Sequence, residues 1–321
     1  MKKLLYVLLL LSSTFSQSET IIKGIDKDFL DKIKHDGKIL KGFINTNDLE
    51  FGFVTKSKLW LWNLDQNRLK SIKLSESQYT TPLISDVRYL NDNWIIEGHG
   101  QLTILDLGKN KKKTIRHPYV NSGKSIGIEY KNGFYYWAHE DGSLKINADS
   151  FDTELFLKPL NKTYEHALLL DKNIYYNNGN NIFSYSGSEI KLIFHSPRKI
   201  KTLASSENYL MTMTDNSITQ INTRGRIVKV IPNTKPNISK ISFQQKSQHC
   251  YKLSNKQYIN FDTNEEKRFT FSLPTEVNES HFYCYKNLVF LVESSNIVLL
   301  ADYTKKTNTA KKNKKNIKKK L

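Results

Sequence analysis

The chain of 321 residues carries 49 Lys and Arg against 31 Asp and Glu, a formal net charge of +18, with 38% hydrophobic and 12% aromatic residues. A chain this long buries a sizeable core, as one large domain or two ordinary ones. A mean hydropathy of −0.53 excludes a bundle of membrane helices, and the 17 Tyr and 16 Phe suit half-buried pleated surfaces better than long helices.

Residues 1–16 read as a secretion signal. Lys2 and Lys3 give a positive start, Leu4 to Leu11 form an apolar run broken only by Tyr6, and Thr14 and Ser16 flank a cleavage point just after Ser16. The run is far short of the ~20 residues a spanning helix needs. The expected location is therefore the periplasm or the exterior of a bacterium, with no transmembrane segment left after cleavage. No cysteine lies near the cleavage point, which disfavours a lipid-anchored form. The next two segments are ETIIKGI (19–25), a strand, and DKDFLDKIKHDG (26–37), a short helix or loop. No other helix is expected.

From there one unit recurs: a short apolar strand, a polar turn, a second alternating strand and a charged hairpin. Its copies are FGFVTKSKLWLWNLD (51–65), NWIIEGHGQLTILDL (93–107), GFYYWAHEDGSLKINAD (133–149), NIYYNNGNNIFSYSG (173–187), YLMTMTDNSITQINT (209–223), HCYKLSNKQYINFDT (249–263) and LVFLVESSNIVLLAD (288–302). The first apolar residue after each turn sets a register at Leu59, Leu102, Leu144, Ile182, Ile218, Tyr258 and Ile297, with gaps of 43, 42, 38, 36, 40 and 39 residues. That is close to the ~40–45-residue period of four-stranded propeller blades. Each copy has room for four strands; in the second these fall at 84–90, 93–99, 101–107 and 112–117.

The predicted fold over residues 17–304 is thus all-β: a seven-bladed β-propeller of four-stranded antiparallel blades. Six or eight blades stay open, because the first blade and the termini are the least sharply defined. The seventh unit supplies three strands, and placing the strand at 19–25 as its fourth closes the ring and removes exposed edges. In repeat architecture alone the chain resembles the broad WD-repeat-like and quinoprotein-like propeller group, with no specific family. The Gly-His and Trp-Asp dipeptides of WD repeats do not recur: Gly98-His99 occurs once, and Trp62 precedes Asn63. The tryptophan docking motifs of quinoproteins are missing too, so no quinone or other cofactor is implied.

Few residues point to chemistry. PYVNSGKS (118–125) has Pro118 where a phosphate loop needs its first glycine, and a strand follows instead of a helix. His99 and His139 fall in the middle turns of adjacent blades, with Glu140 and Asp141 beside the second; with Asp215 they form the only suggestive catalytic set. No third metal ligand is identifiable, and turn chemistry explains the same residues. Trp60, Trp62, Trp94, Trp137, Tyr135 and Tyr136 read as wedge packing, with about half facing inward by alternation. Cys250 and Cys284 are the two cysteines, a pair that an exported chain could join as a disulfide or keep as buried thiols.

Residues 305–321 hold nine lysines and no acid, so the body from Gln17 to Thr304 carries only +7 once the signal's two lysines are set aside. Such a segment buries too little to fold and is expected to be disordered. Lys311, Lys312, Lys314, Lys315, Lys318, Lys319 and Lys320 are candidates for binding an anionic lipid surface or cell-wall polymer. Nucleic acid is the weakest partner for an exported chain whose body has no basic stripe interleaved with aromatics. The functional expectation is a non-catalytic, exported scaffold for protein–protein interaction, with an unidentified envelope or extracellular partner. Two alternatives stand beside it: a hydrolase or lyase at the channel mouth, and a propeller tethered to anionic surfaces by its tail.

Overall fold

The computed structural model describes residues 20–24, 27–45, 47–74, 84–98, 100–118, 124–206, 208–232 and the strands of 238–302, where side chains are described only for Tyr283, Phe290 and Val292. The chain opens with β1 (Thr20–Gly24) and α1 (Lys27–Asp36). Blade one is β2 (Lys41–Asn45), β3 (Glu50–Val54), β4 (Lys58–Asn63) and β5 (Arg68–Lys73), and blade two is β6 (Asp86–Leu90), β7 (Asn93–Gly98), β8 (Gln101–Asp106) and β9 (Lys111–Arg116). Blade three holds β10 (Ser125–Lys131), β11 (Phe134–His139), β12 (Ser143–Asn147) and β13 (Thr153–Leu157). Blade four holds β14 (His166–Leu170), β15 (Asn173–Asn178), β16 (Asn181–Tyr185) and β17 (Ile190–His195). Blade five is β18 (Thr202–Ser206), β19 (Tyr209–Met213), β20 (Ser217–Asn222) and β21 (Ile227–Pro232). Blade six is β22 (Ile238–Phe243), β23 (His249–Leu253), β24 (Gln257–Phe261) and β25 (Glu266–Thr270). Blade seven is β26 (His281–Tyr285), β27 (Leu288–Glu293) and β28 (Asn296–Asp302), completed by β1.

Seven four-stranded antiparallel sheets are therefore present among the described residues. The seven register residues all fall on the third strand of their sheets. The early strand closes the ring as the pattern requires, with Thr20 opposite Asp302 and Gly24 opposite Val298. First strands lie side by side around the ring, β2 with β6, β10 with β14, β14 with β18, β18 with β22 and β22 with β26, and β26 returns to β2. At that return the hydroxyl of Tyr283 accepts the backbone N–H of Gly42 at 2.8 Å.

Turn chemistry fixes the hairpins. Asn91-Asp92, Asn132-Gly133 and Asp171-Lys172 each place two successive residues at positive φ, the two-residue turn whose twist matches the flanking strands. The next asparagine secures two of them, Asn93 Nδ2 donating to the Asn91 carbonyl at 2.6 Å and Asn173 Nδ2 to that of Asp171 at 3.1 Å.

Among the described residues the core is a series of wedges between neighbouring blades, from the seam of blades seven and one round to that of blades four and five. Between blades seven and one, Phe51 stacks on Phe290 with centroids 4.6 Å apart, beside Phe53, Trp60, Trp62 and Val292. The tryptophans and the Tyr135–Tyr136 pair are all buried, where alternation alone predicts half. Blades one, two and three each have a described wedge on both faces, so alternate side chains enter two different wedges. Gly52 shows how closely the sheets approach: a Cβ there would lie 2.1 Å from the indole ring of Trp94. α1 seals the seam, burying Ile33 in the first wedge. The carboxylate of Asp36 accepts from the hydroxyls of Thr55 and Ser57 and, at 3.3 Å, from the indole N–H of Trp60.

Candidate functional site

The middle turn of blade three links β11 to β12 and carries His139, Glu140 and Asp141. His139 ends β11 and is buried. Its Nδ1 accepts the backbone N–H of Asp141 at 3.2 Å, with a carboxylate oxygen of Asp141 3.7 Å away. The ring of His117 lies 5.1 Å from that of His139 and 5.1 Å from the indole of Trp137. Nε2 of His117 meets the Gly142 carbonyl at 3.0 Å. Burial lowers the His117 pKa despite that carbonyl and Asp141, so the ring is held neutral.

Glu140 faces blade four. Its carboxylate accepts the Tyr164 hydroxyl and, at 2.8 Å, the backbone N–H of Lys124. Burial and then this carboxylate push the Tyr164 phenol up, keeping it a donor. The pair lines a cleft of about 350 Å³ with Lys124, Lys162 and His166. Asp215 belongs to the middle turn of blade five, two blades from Glu140, where it pairs with Lys201. The proposed catalytic set is thus split between two separate turns, and His99 lies outside the described residues. Among the described residues no three His, Cys, Asp or Glu side chains stand close enough to hold a metal ion. The backbones of Cys250 and Cys284 lie on β23 and β26 of adjacent blades. Their side chains, the disulfide proposed for them, residues 1–16 and the lysines of 305–321 lie outside the described residues.

A constellation that sequence reading missed centres on Glu97 at the end of β7. It is 2% exposed, and its carboxylate accepts the Ser125 hydroxyl and the Trp137 indole N–H from blade three. Burial raises its pKa to about 7, helped by Asp86 and opposed by Ser125, Arg88 and Trp137. Arg88 on β6 holds Asp86 at 2.7 Å and reaches the Ile128 carbonyl of β10 at 2.9 Å. One signal could have found it: Glu97 is the charged residue in the otherwise apolar run NWIIEG.

The rim is divided. On blades four and five the outer strands expose Ile190, Leu192, Ile227, Val228 and Val230. On blade two the outer strand β9 reads KKKTIR, and only Ile115 is buried. Between blades two and three a cleft of about 730 Å³ runs beside β9, lined by Lys109, Lys111, Lys113, Ile104, Asp149 and Phe151 among others.

Seven four-stranded sheets arranged in a ring define a β-propeller. No protein-family model matches the chain, and no curated protein matches it in sequence. Solved structures do. The WD40 domain of Neurospora crassa Pan2 aligns with a TM-score of 0.60 at 11% identity, covering 85% of this chain and 91% of that one. YCF48 from Cyanidioschyzon merolae aligns at 0.58 and 8%, covering 87% and 98%, and Kluyveromyces lactis Hsv2 at 0.55 and 10%, covering 81% and 91%. At these identities the likeness shows the fold alone.

Proposed function

We propose that the protein is an exported scaffold for protein–protein interaction. The observation that carries this reading is the set of exposed aliphatic side chains on the outer strands β17 and β21 of adjacent blades, a surface on which another protein can dock. WD40-type architecture supports it by analogy: a rigid ring presents many loops and edges, and function on such rings lives in what those surfaces carry. The candidate catalytic groups among the described residues are each engaged by neighbours, Glu140 by Tyr164 and Lys124, His139 by Asp141, and Asp215 by Lys201 in an exposed pair. Export is supported by the leader-like pattern of residues 1–16, and no described helix is long and apolar enough to cross a membrane.

Site-specific photocrosslinking tests the scaffold reading. A benzophenone amino acid at Leu192 or Val228 in living cells should yield one discrete adduct with another protein, recovered in the envelope or secreted fraction. Absence of any adduct from both positions, or an adduct confined to the cytoplasm, would count against it.

A further inference from the structure

The seven outer strands occupy one position in the repeat, so each serves as a control for the others. In blades three, four and five a bulge breaks the pairing of the third and fourth strands, at Ser143/Leu144, Ile182/Phe183 and Gln220/Ile221. Bulges twist an edge and blunt it against a further strand. Blade two has no such break, and neither do blades one, six and seven, so the side chains of the edge decide what it does. Gln101 to Asp106 pair in unbroken register with Arg116 to Lys111, so β9 presents a straight edge of six residues. Every second N–H and C=O of such an edge points away from the sheet, a template for another strand.

The side chains of that edge are cationic on both faces. Lys111 and Lys113 stand opposite Asp106 and Ile104 and line the cleft toward blade three. Lys112 stands opposite Leu105 on the side of blade one, where its ammonium reaches the Leu74 carbonyl, and Arg116 is on the same face. Lys111 and Lys113 form no ion pair among the described residues. The outer strand of blade one, RLKSIK, is also unbroken, but its Lys70 is drawn to Glu50 at 3.7 Å. Lysines on an open edge repel strands that are neutral or basic. The same charges select a strand whose alternate residues are carboxylates, set on the face of Lys111 and Lys113.

We infer that β9 is a docking edge for an extended acidic segment of a partner protein, which adds to blade two as a fifth strand. Backbone pairing supplies the register and the lysines supply the choice of partner. This inference rests on the scaffold reading and names the partner's chemistry at a second place on the rim.

The test uses the full chain and a fluorescein-labelled, capped eight-residue peptide of alternating Glu and Val, followed by anisotropy. The peptide should bind, and its Lys–Val counterpart should not. Methylation of alternate backbone nitrogens, which removes strand pairing but keeps every carboxylate, should weaken binding at least tenfold. K111E/K113E should also weaken it at least tenfold, and K111Q/K113Q by less. K199E/K201E, the same charge change on the blade-five side, should stay within twofold; circular dichroism checks that each variant is folded. No binding to the unaltered chain, equal binding of the N-methylated peptide, or equal loss in the two charge-reversal variants each overturns the inference. Crosslinking at Leu192 can still succeed in any of those cases, so failure here is distinguishable from failure of the scaffold reading.

Discussion

The phenolic oxygen of Tyr283 accepts the backbone N–H of Gly42, joining the first strands of blades seven and one across 241 residues of chain. Both groups are buried, so the bond has no water to replace it. Tyr283→Phe leaves the Gly42 N–H without a partner and should cost about 1–3 kcal/mol. Urea unfolding measures this; a midpoint equal to that of the unaltered protein would show that the seam relaxes around the loss.

Glu97 gives the fold a pH dependence of unusual sign for a carboxylate. Its folded pKa is about 7, raised first by burial, against an ordinary value of 4.5. Between those values the folded chain holds a proton that the unfolded chain has released. Stability from this residue is therefore complete below about pH 4.5, declines as pH rises through 7, and is flat above. The change is on the order of 3 kcal/mol. Glu97→Gln keeps an oxygen for Ser125 and Trp137 but cannot ionise, so its melting temperature should fall less between pH 5 and pH 8. Parallel thermal scans decide the matter, and curves of the same slope would refute it.

Asp36 has the opposite sign. Burial alone would raise its pKa, but the hydroxyls of Ser57 and Thr55 and the charge of Lys58 outweigh this and lower it. Its contribution is present above the ordinary carboxylate range and fades as pH falls through that range. Asp36→Ala should cost about 2–3 kcal/mol, as hydrogen bonds to a charged group do, and should free α1 from blade one. Hydrogen exchange would report this as lost protection over Lys27–Asp36 with blade four unchanged.

Two of the residues that looked catalytic should separate cleanly. Asp215 is 64% exposed in its pair with Lys201, so Asp215→Ala should change stability by no more than about 1 kcal/mol. Glu140→Ala removes the acceptor of both Tyr164 and the Lys124 N–H and should cost roughly 2–3 kcal/mol. Comparable losses in calorimetry would contradict the roles drawn from their contacts.

The ring was legible because period, turn and burial coincide in this chain. Leu59, Leu102, Leu144, Ile182 and Ile218 are all buried on third strands, and the Asn91-Asp92 turn falls between the strands read at 84–90 and 93–99. The closing strand at 19–25 was also legible, and the stretch at 26–37, read as a short helix or loop, forms the helix Lys27–Asp36 where the circle joins. The site was not legible. Glu97 meets Ser125 and Trp137 at separations of 28 and 40 residues, so its role exists only once two blades face each other. His117 likewise gains meaning only beside His139 and Trp137. The bulges that break the outer pairings of blades three, four and five leave no mark on composition, because a bulge is a mismatch between two strands and belongs to neither alone.

Closure through β1 has a consequence for the order in which the protein takes shape. Six sheets form from contiguous sequence and can assemble as the chain is delivered. The seventh cannot, because Thr20 waits for Asp302. β1 therefore has no sheet partner while the other six sheets form, and the ring stays open until β28 is available. Such a long-range pairing is slow to find, and it leaves the edge of β28, in blade one's neighbour, to wait on a single late contact.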